Sequence, residues 1–185
     1  GDERVLYRHE EKFYHPTAIG IIIEDIMPQQ EYKQLIKEIS EYKIERIGQK
    51  LNIDLLALLN KGTEEEFLKL ISYANNNSNL PVVLMSNNHL LQRKALQIYK
   101  NKKPLIYSLN KENFDDFIKL SKEFNSPLAI TVKDLNEAIQ FIQKLNQERV
   151  EQLVIDFNSK TPSETLWLLT QCRRLALKKK MRSLG

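Results

Sequence analysis

Several absences narrow the field before any pattern is read. The 185 residues hold a single cysteine, Cys172, which excludes an intrachain disulfide and any four-cysteine cluster and points to a reduced, cytoplasmic setting. Five glycines are too few and wrongly spaced for G-x-G-x-x-G or G-x-x-x-x-G-K, so dinucleotide and P-loop fingerprints are missing. No apolar run approaches the roughly 18 residues of a membrane-spanning helix, and no signal peptide opens the chain, so a soluble protein with no membrane partner is expected. The net charge is +4, but six basic residues (Arg173, Arg174, Lys178, Lys179, Lys180 and Arg182) crowd the C-terminal end. Removing those six from the 28 leaves 22 basic against 24 acidic residues, so the rest of the surface has no basic footprint for nucleic acid. In that last helix Leu168, Leu169, Cys172, Leu175 and Ala176 form the stripe expected to be buried, with the basic residues on a solvated face.

What is present is a repeat. Pro81-Val-Val-Leu-Met-Ser86, Pro104-Leu-Ile-Tyr-Ser108 and Pro127-Leu-Ala-Ile-Thr131 each start on proline, run through apolar residues and end on a hydroxyl, and Leu153-Val-Ile-Asp156 repeats the theme with a carboxylate. A proline lacks an amide donor, which a central strand tolerates only at its first residue, so the prolines mark strand entrances. Between copies, apolar residues fall at helical spacing: Leu91, Ala95, Ile98 and Tyr99, then Phe114, Phe117 and Ile118, then Leu135, Ala138, Ile139 and Ile142. Short apolar runs alternating with amphipathic helices predict parallel strands in βα units.

Upstream, Thr17 to Ile23 and Asp54 to Leu59 read as two further strands. Pro28 opens a helix with Tyr32, Leu35, Ile36 and Ile39 on its apolar face, while Ile44 to Gln49 is ambiguous: Ile-Glu-Arg-Ile alternates, and Gly48 fits either a helix end or a turn. Thr63 and Glu66 form a capping box before a helix burying Phe67, Leu70, Ile71 and Ala74. Asp134 with Glu137, and Thr161-Pro162-Ser163-Glu164, mark two more helix starts. Residues 1–16 contain His9 and His15 with no third ligand at a useful spacing, and read as a packed N-terminal lead-in segment rather than a metal site.

Six βα units make three quarters of an eight-unit ring. The predicted fold is therefore α/β, an incomplete TIM-type (β/α) barrel over residues 17–185, with an open doubly wound parallel sheet as the alternative. An incomplete barrel leaves two strand edges open, which favours self-association. In both architectures a ligand sits beyond the C-terminal strand ends. Those ends carry Asp25, Asn60, Ser86, Asn87, Ser108, Thr131, Asp156 and Asn158, a set suited to a polar ligand, and Asp25 and Asp156 would meet across a closed barrel. The set contains no histidine-backed nucleophile and no metal trio, so no catalytic residue is assigned, and helix capping is the competing role for these groups.

The runs Val5-Leu6-Tyr7-Arg8-His9-Glu10-Glu11-Lys12-Phe13-Tyr14-His15-Pro16-Thr17, Glu45-Arg46-Ile47-Gly48, Leu80 to Ser86, Lys103 to Tyr107, and Leu169 to Lys179 resemble, in order along the chain, the large (gamma) subunit of the corrinoid iron-sulfur protein of the acetyl-CoA decarbonylase/synthase complex. The resemblance implies the central barrel of a carrier that takes a methyl group from a methyl-pterin on cobalt and delivers it to acetyl-CoA synthase. It implies a [4Fe-4S] cluster and a corrinoid in flanking domains of the parent protein, with no cofactor held by this chain. It also implies as partners the small subunit, the corrinoid domain, acetyl-CoA synthase and the methyltransferase. A methyl-pterin-binding methyltransferase barrel is the alternative, with Asp25, Asn60, Asp156 or Asn158 holding the pterin.

Overall fold

The computed structural model of the chain describes residues 17–100, 102–178, 181 and 184. The lead-in segment, with His9 and His15, and the basic residues Lys179, Lys180 and Arg182 lie outside the described residues. The described residues form β1 (Gly20–Glu24), α1 (Gln29–Glu41), β2 (Lys43–Arg46), β3 (Gln49–Asn52), β4 (Leu55–Leu59), α2 (Glu64–Asn77), β5 (Val82–Met85), α3 (His89–Ile98), β6 (Leu105–Leu109), α4 (Phe114–Phe124), β7 (Leu128–Thr131), α5 (Leu135–Gln147), β8 (Leu153–Asp156) and α6 (Pro162–Lys178). The fold is α/β with a six-stranded sheet in the order β1-β4-β5-β6-β7-β8, and β2-β3 stand apart as a ribbon. Sheet order follows chain order without reversal. By compactness the chain divides into one unit, Ala18–Leu128, and another containing Ala129–Gly185.

In the first unit the parallel register aligns Ile23, Leu58, Leu84 and Ile106 in one row, and all four are 0% exposed. This is the face the helices cover: α1 buries Tyr32, Ile36 and Ile39, α2 buries Phe67, Leu70, Ile71 and Ala74, α3 buries Leu91, Ala95 and Leu96, and α4 buries Phe117, Ile118 and Leu120. Each helix packs on the next, α1 on α2, α2 on α3 and α3 on α4, so the four form one layer. Burying each leucine-sized side chain contributes about 1.5–3 kcal/mol, which makes this layer the main source of stability in the unit. The neighbouring row on the opposite face, Ile22, Ala57, Val83 and Leu105, is also apolar but less protected, with Ile22 54% exposed.

The prolines sit where their missing amides predict, one residue before β5, β6 and β7. Their carbonyls still join the ladder: Leu56 N donates to Pro81 O at 3.0 Å and Ile106 N to Pro127 O at 2.9 Å. The first strand begins at Gly20 rather than Thr17 because its start is set by Ile19, whose carbonyl accepts from Asp54 N at 2.8 Å and whose amide donates to Asp54 Oδ2 at 2.8 Å. A Cβ on Gly20 would lie 2.2 Å from Leu55 Cδ1, so the Leu55 side chain fills the space that a side chain at this position would take.

The ambiguous stretch Ile44 to Gln49 is an antiparallel hairpin. Ile44 pairs with Leu51 and Arg46 with Gln49, around a two-residue turn with φ 53° at Ile47 and 71° at Gly48. Positive φ at both central residues is the mark of the hairpin turn whose twist matches its strands. The alternation Ile-Glu-Arg was the strand signal and Gly48 the turn signal.

In the second unit Ala129 and Ile130 are fully buried, and Val132 N reaches Asp156 O at 2.9 Å. The α5 helix is capped by Asp134, whose side chain accepts from Glu137 N at 2.9 Å, and it buries Ala138, Phe141, Ile142 and Leu145. The expected buried stripe of α6 is corrected: Cys172 and Ala176 are buried, but Leu169 is 50% exposed, as are Leu166 and Trp167 at 69% and 62%. The two buried residues fall in the C-terminal half of this helix, whereas in its first two turns Leu166 and Leu169 are exposed and Leu168 is half-buried.

Candidate functional site

The C-terminal strand ends of the first unit carry a connected polar group. Asp25 follows β1, is 3% exposed, and donates its amide to Leu59 O at 3.1 Å. Its Oδ1 accepts from Lys61 N and Gly62 N, both at 2.8 Å, and its Oδ2 accepts from Asn60 Nδ2 at 2.7 Å. Asn60 Oδ1 accepts from Ser86 Oγ at 3.1 Å, and Ser86 Oγ accepts from Asn88 N at 3.3 Å. Asn88 then caps α3, accepting from Leu90 N and Leu91 N. Three strand ends and one helix start are thus tied by a single relay.

That relay shows what the predicted residues do locally. A carboxylate offers about four acceptor positions, and the three donors on Asp25 all belong to the loop it holds. Glu24 pairs with Lys61 at 2.6 Å on the rim, where both side chains are partly exposed and the pair contributes little. Asn87 is exposed beside the relay. Ser108 is 8% exposed, and its carbonyl accepts from Asn113 Nδ2 at 3.1 Å. The structure therefore joins Asp25, Asn60 and Ser86 directly, whereas Ser108 belongs to a neighbouring loop clasp made with Asn113.

Gln92 was not anticipated. It is 0% exposed on α3, and its Nε2 donates to Leu84 O at 2.9 Å, Ser86 O at 3.1 Å and Tyr107 O at 3.2 Å, pinning the ends of β5 and β6. Its Oε1 is buried with no hydrogen-bond partner among the described residues. The signal in the sequence was a lone amide inside the apolar stripe Leu91, Ala95 and Leu96.

The remaining predicted residues lie in the second unit. Asp156 Oδ1 accepts from Asn158 N at 2.8 Å, a local turn that holds Asn158 at φ 47°. Thr131 Oγ1 is buried with no hydrogen-bond partner among the described residues.

These arrangements position loops and offer little for bond breaking. Ser86 donates its hydroxyl to an amide oxygen, not to a base. His89 lies 3.7 Å from Asp116 with both side chains close to half exposed, and among the described residues no hydrogen bond joins His89 to a serine or cysteine. Among the described residues no group of three or more His, Cys, Asp or Glu is arranged to hold a metal ion. A [4Fe-4S] cluster requires four thiolates, whereas the one thiol here, Cys172, is 4% exposed and burial pushes its pKa up, away from the thiolate a cluster needs. The residues present do not fit that cluster. Among the described residues no helix is long and apolar enough to cross a membrane.

The fold and site together define a class: a parallel α/β domain whose strand-end polar groups chiefly brace its own loops. Residues 1–185 match the family model described as CO dehydrogenase/acetyl-CoA synthase delta subunit, and the chain belongs to that family. It is 32% identical over 186 residues to the corrinoid/iron-sulfur protein large subunit of Moorella thermoacetica, covering 100% of this chain and 42% of that protein. It is 33% identical over 193 residues to the acetyl-CoA decarbonylase/synthase complex subunit gamma of Methanocaldococcus jannaschii, covering 100% of this chain and 39% of that protein. A third relative, the gamma subunit of Methanothermobacter thermautotrophicus, is 30% identical over 181 residues. The chain spans about two fifths of the length of these relatives.

Proposed function

We propose that the chain is a scaffold region of a corrinoid iron-sulfur methyl carrier in the acetyl-CoA pathway, built as part of a (β/α) barrel over residues 17–185 and working in the cytoplasm. The observation that carries the reading is the family match along the whole chain, combined with strand ends whose central carboxylate, Asp25, is taken up by its own loop. Barrel geometry is supported by strand order that never reverses, since a doubly wound sheet reverses at its switch point, and by helices that pack in succession in the first unit. On this reading the cobalt and iron-sulfur chemistry belongs to other domains of the carrier. This chain's role is to hold the small subunit and to present the corrinoid domain to the methyltransferase and acetyl-CoA synthase.

Calorimetric titration with the small subunit of a corrinoid iron-sulfur protein tests the proposal. Saturable binding is expected, with no heat from methyltetrahydrofolate or free cobalamin. No affinity for the small subunit would overturn it.

A second reading, pterin binding at strand ends of the second unit, draws on the buried Thr131 hydroxyl that lacks a hydrogen-bond partner among the described residues. Methyltetrahydrofolate binding that is lost in Asp156→Ala would establish it, because a scaffold would be indifferent to that change.

A further inference from the structure

The β2-β3 ribbon is costly in a way that its own fold does not explain. Every residue from Lys43 to Asn52 is exposed, so among the described residues the ribbon gains little burial outside itself. An isolated two-stranded hairpin is marginally stable at best. Its tip makes matters worse: Ile47 is 94% exposed at φ 53°, a β-branched side chain in the left-handed region where asparagine or glycine is favoured. Local strain that the surrounding fold does not repay is found at sites that serve a contact or a function.

The ribbon is also two-faced. Residues that alternate along a strand share a face, and those paired across a hairpin share it too. One face therefore carries Ile44 opposite Leu51, and Arg46 opposite Gln49, while Ile47 stands at the tip, in the turn that joins the two strands. Ile44 and Leu51 are 45% and 44% exposed, and Tyr42 at the root is 48% exposed. The other face carries Lys43, Glu45, Lys50 and Asn52. Lys43, Arg46 and Lys50 stand against a single acid, Glu45, so the ribbon is positively charged around its apolar face.

We propose that this ribbon is a docking arm whose tip and apolar face enter an apolar pocket, rimmed by carboxylates, on a protein partner. Charge complementarity selects the rim, and arginine beside aliphatic and aromatic anchors is the composition of a protein interface core. A membrane wedge would gather its apolar residues at the tip, whereas here they run from Tyr42 at the root through Ile44 and Leu51 to Ile47. The ribbon leads into the start of β4, so it projects from the end of the first unit opposite the Asp25 relay and leaves that relay unobstructed. The inference goes beyond the methyl-carrier reading and requires only that the protein work with a partner.

The test places benzoylphenylalanine at position 47, irradiates the protein in extract of its own cells, and maps the cross-linked peptide. The expected product joins Ile47's position to an apolar stretch of one protein with Asp or Glu within a few residues. It should be lost when Lys43, Arg46 and Lys50 are all changed to Glu, and regained when the mapped carboxylates are changed to Lys. In parallel, Ile47→Asn relieves the strained turn, and it should reduce partner recovery about tenfold or more while the thermal midpoint stays level or rises. A fall in the midpoint would make Ile47 a folding residue and overturn the proposal. So would a cross-link to phospholipid, a cross-link to a second copy of the chain, capture that survives the charge reversal, or no cross-link at all.

Discussion

Asn60 Nδ2 lies 2.7 Å from Asp25 Oδ2, so the end of β4 is fastened to the end of β1 by a neutral donor on a buried carboxylate. The same asparagine accepts from Ser86 with its other end, extending the fastening to β5. A ligand competing for these atoms would first have to break bonds that the fold already makes.

Removing the carboxylate should therefore damage the fold. Asp25→Ala leaves the part-buried amides of Lys61 and Gly62, and the Asn60 side chain, without their acceptor, and the loss is expected at about 3 kcal/mol. For a chain of this size that corresponds to a fall of roughly 6–12 °C in thermal midpoint, measured by calorimetry. A variant that melts with the wild type would return Asp25 to the list of free ligand-binding groups.

The loop is crowded at Gly62, where a Cβ would lie 2.6 Å from Glu66 Oε2 and 3.1 Å from Ile26 Cγ2. Glu66 is the flexible partner and would swing away from Thr63, whose amide donates to it at 2.8 Å. Gly62→Ala should cost about 1 kcal/mol, the usual worth of a helix cap. In a Glu66→Ala background, which removes both the crowding atom and the back-bond, the same change should cost less, and additive effects in that double-mutant cycle would contradict the mechanism.

The capping box also sets a pH dependence. The Thr63 amide, and then its hydroxyl, hold the Glu66 carboxyl below its ordinary value near 4.5. A depressed folded pKa gives stability that is present above the unfolded value and lost as pH falls through the folded one. The midpoint difference between wild type and Glu66→Gln should thus be full near neutrality and shrink in acid below about pH 4.5. A difference that stays constant across this range would rule the box out as its source.

Burial pushes the Cys172 thiol above its ordinary value near 9.0. Here the unfolded chain ionises first, so the thiol erodes stability as pH rises past that value. Burial raises the Tyr99 phenol in the same direction, and the erosion deepens above its ordinary value near 10.0. Ellman's reagent should react with native Cys172 at least about tenfold more slowly than with the denatured chain. Equal rates would show that the packing of α6 around Cys172 opens freely.

The sequence was most legible where local chemistry and the wider packing ask for the same residue. Prolines at 81, 104 and 127 marked strand entrances because a missing amide is tolerated there, and Thr63 with Glu66 marked a helix start because the box is local. Where the outcome depends on a distant neighbour, sequence reading stopped short. Nothing in Leu166, Trp167 or Leu169 tells that they stay exposed while Cys172 and Ala176 are buried, since apolar spacing looks the same whether or not a partner covers it. Asp25, Asn60 and Ser86 were found at strand ends, but that they satisfy one another depends on the register of β1, β4 and β5. Gln92 escaped because one amide in an apolar stripe carries no mark of the three carbonyls it serves.

Because β1, β4, β5 and β6 are laid side by side in the order they occur in the chain, each rung leans mainly on its immediate neighbours. Opening should then spread inward from the outer rung, as in stacked repeats, so that backbone amides of Leu58 and Leu84 exchange with deuterium far more slowly than those of β1.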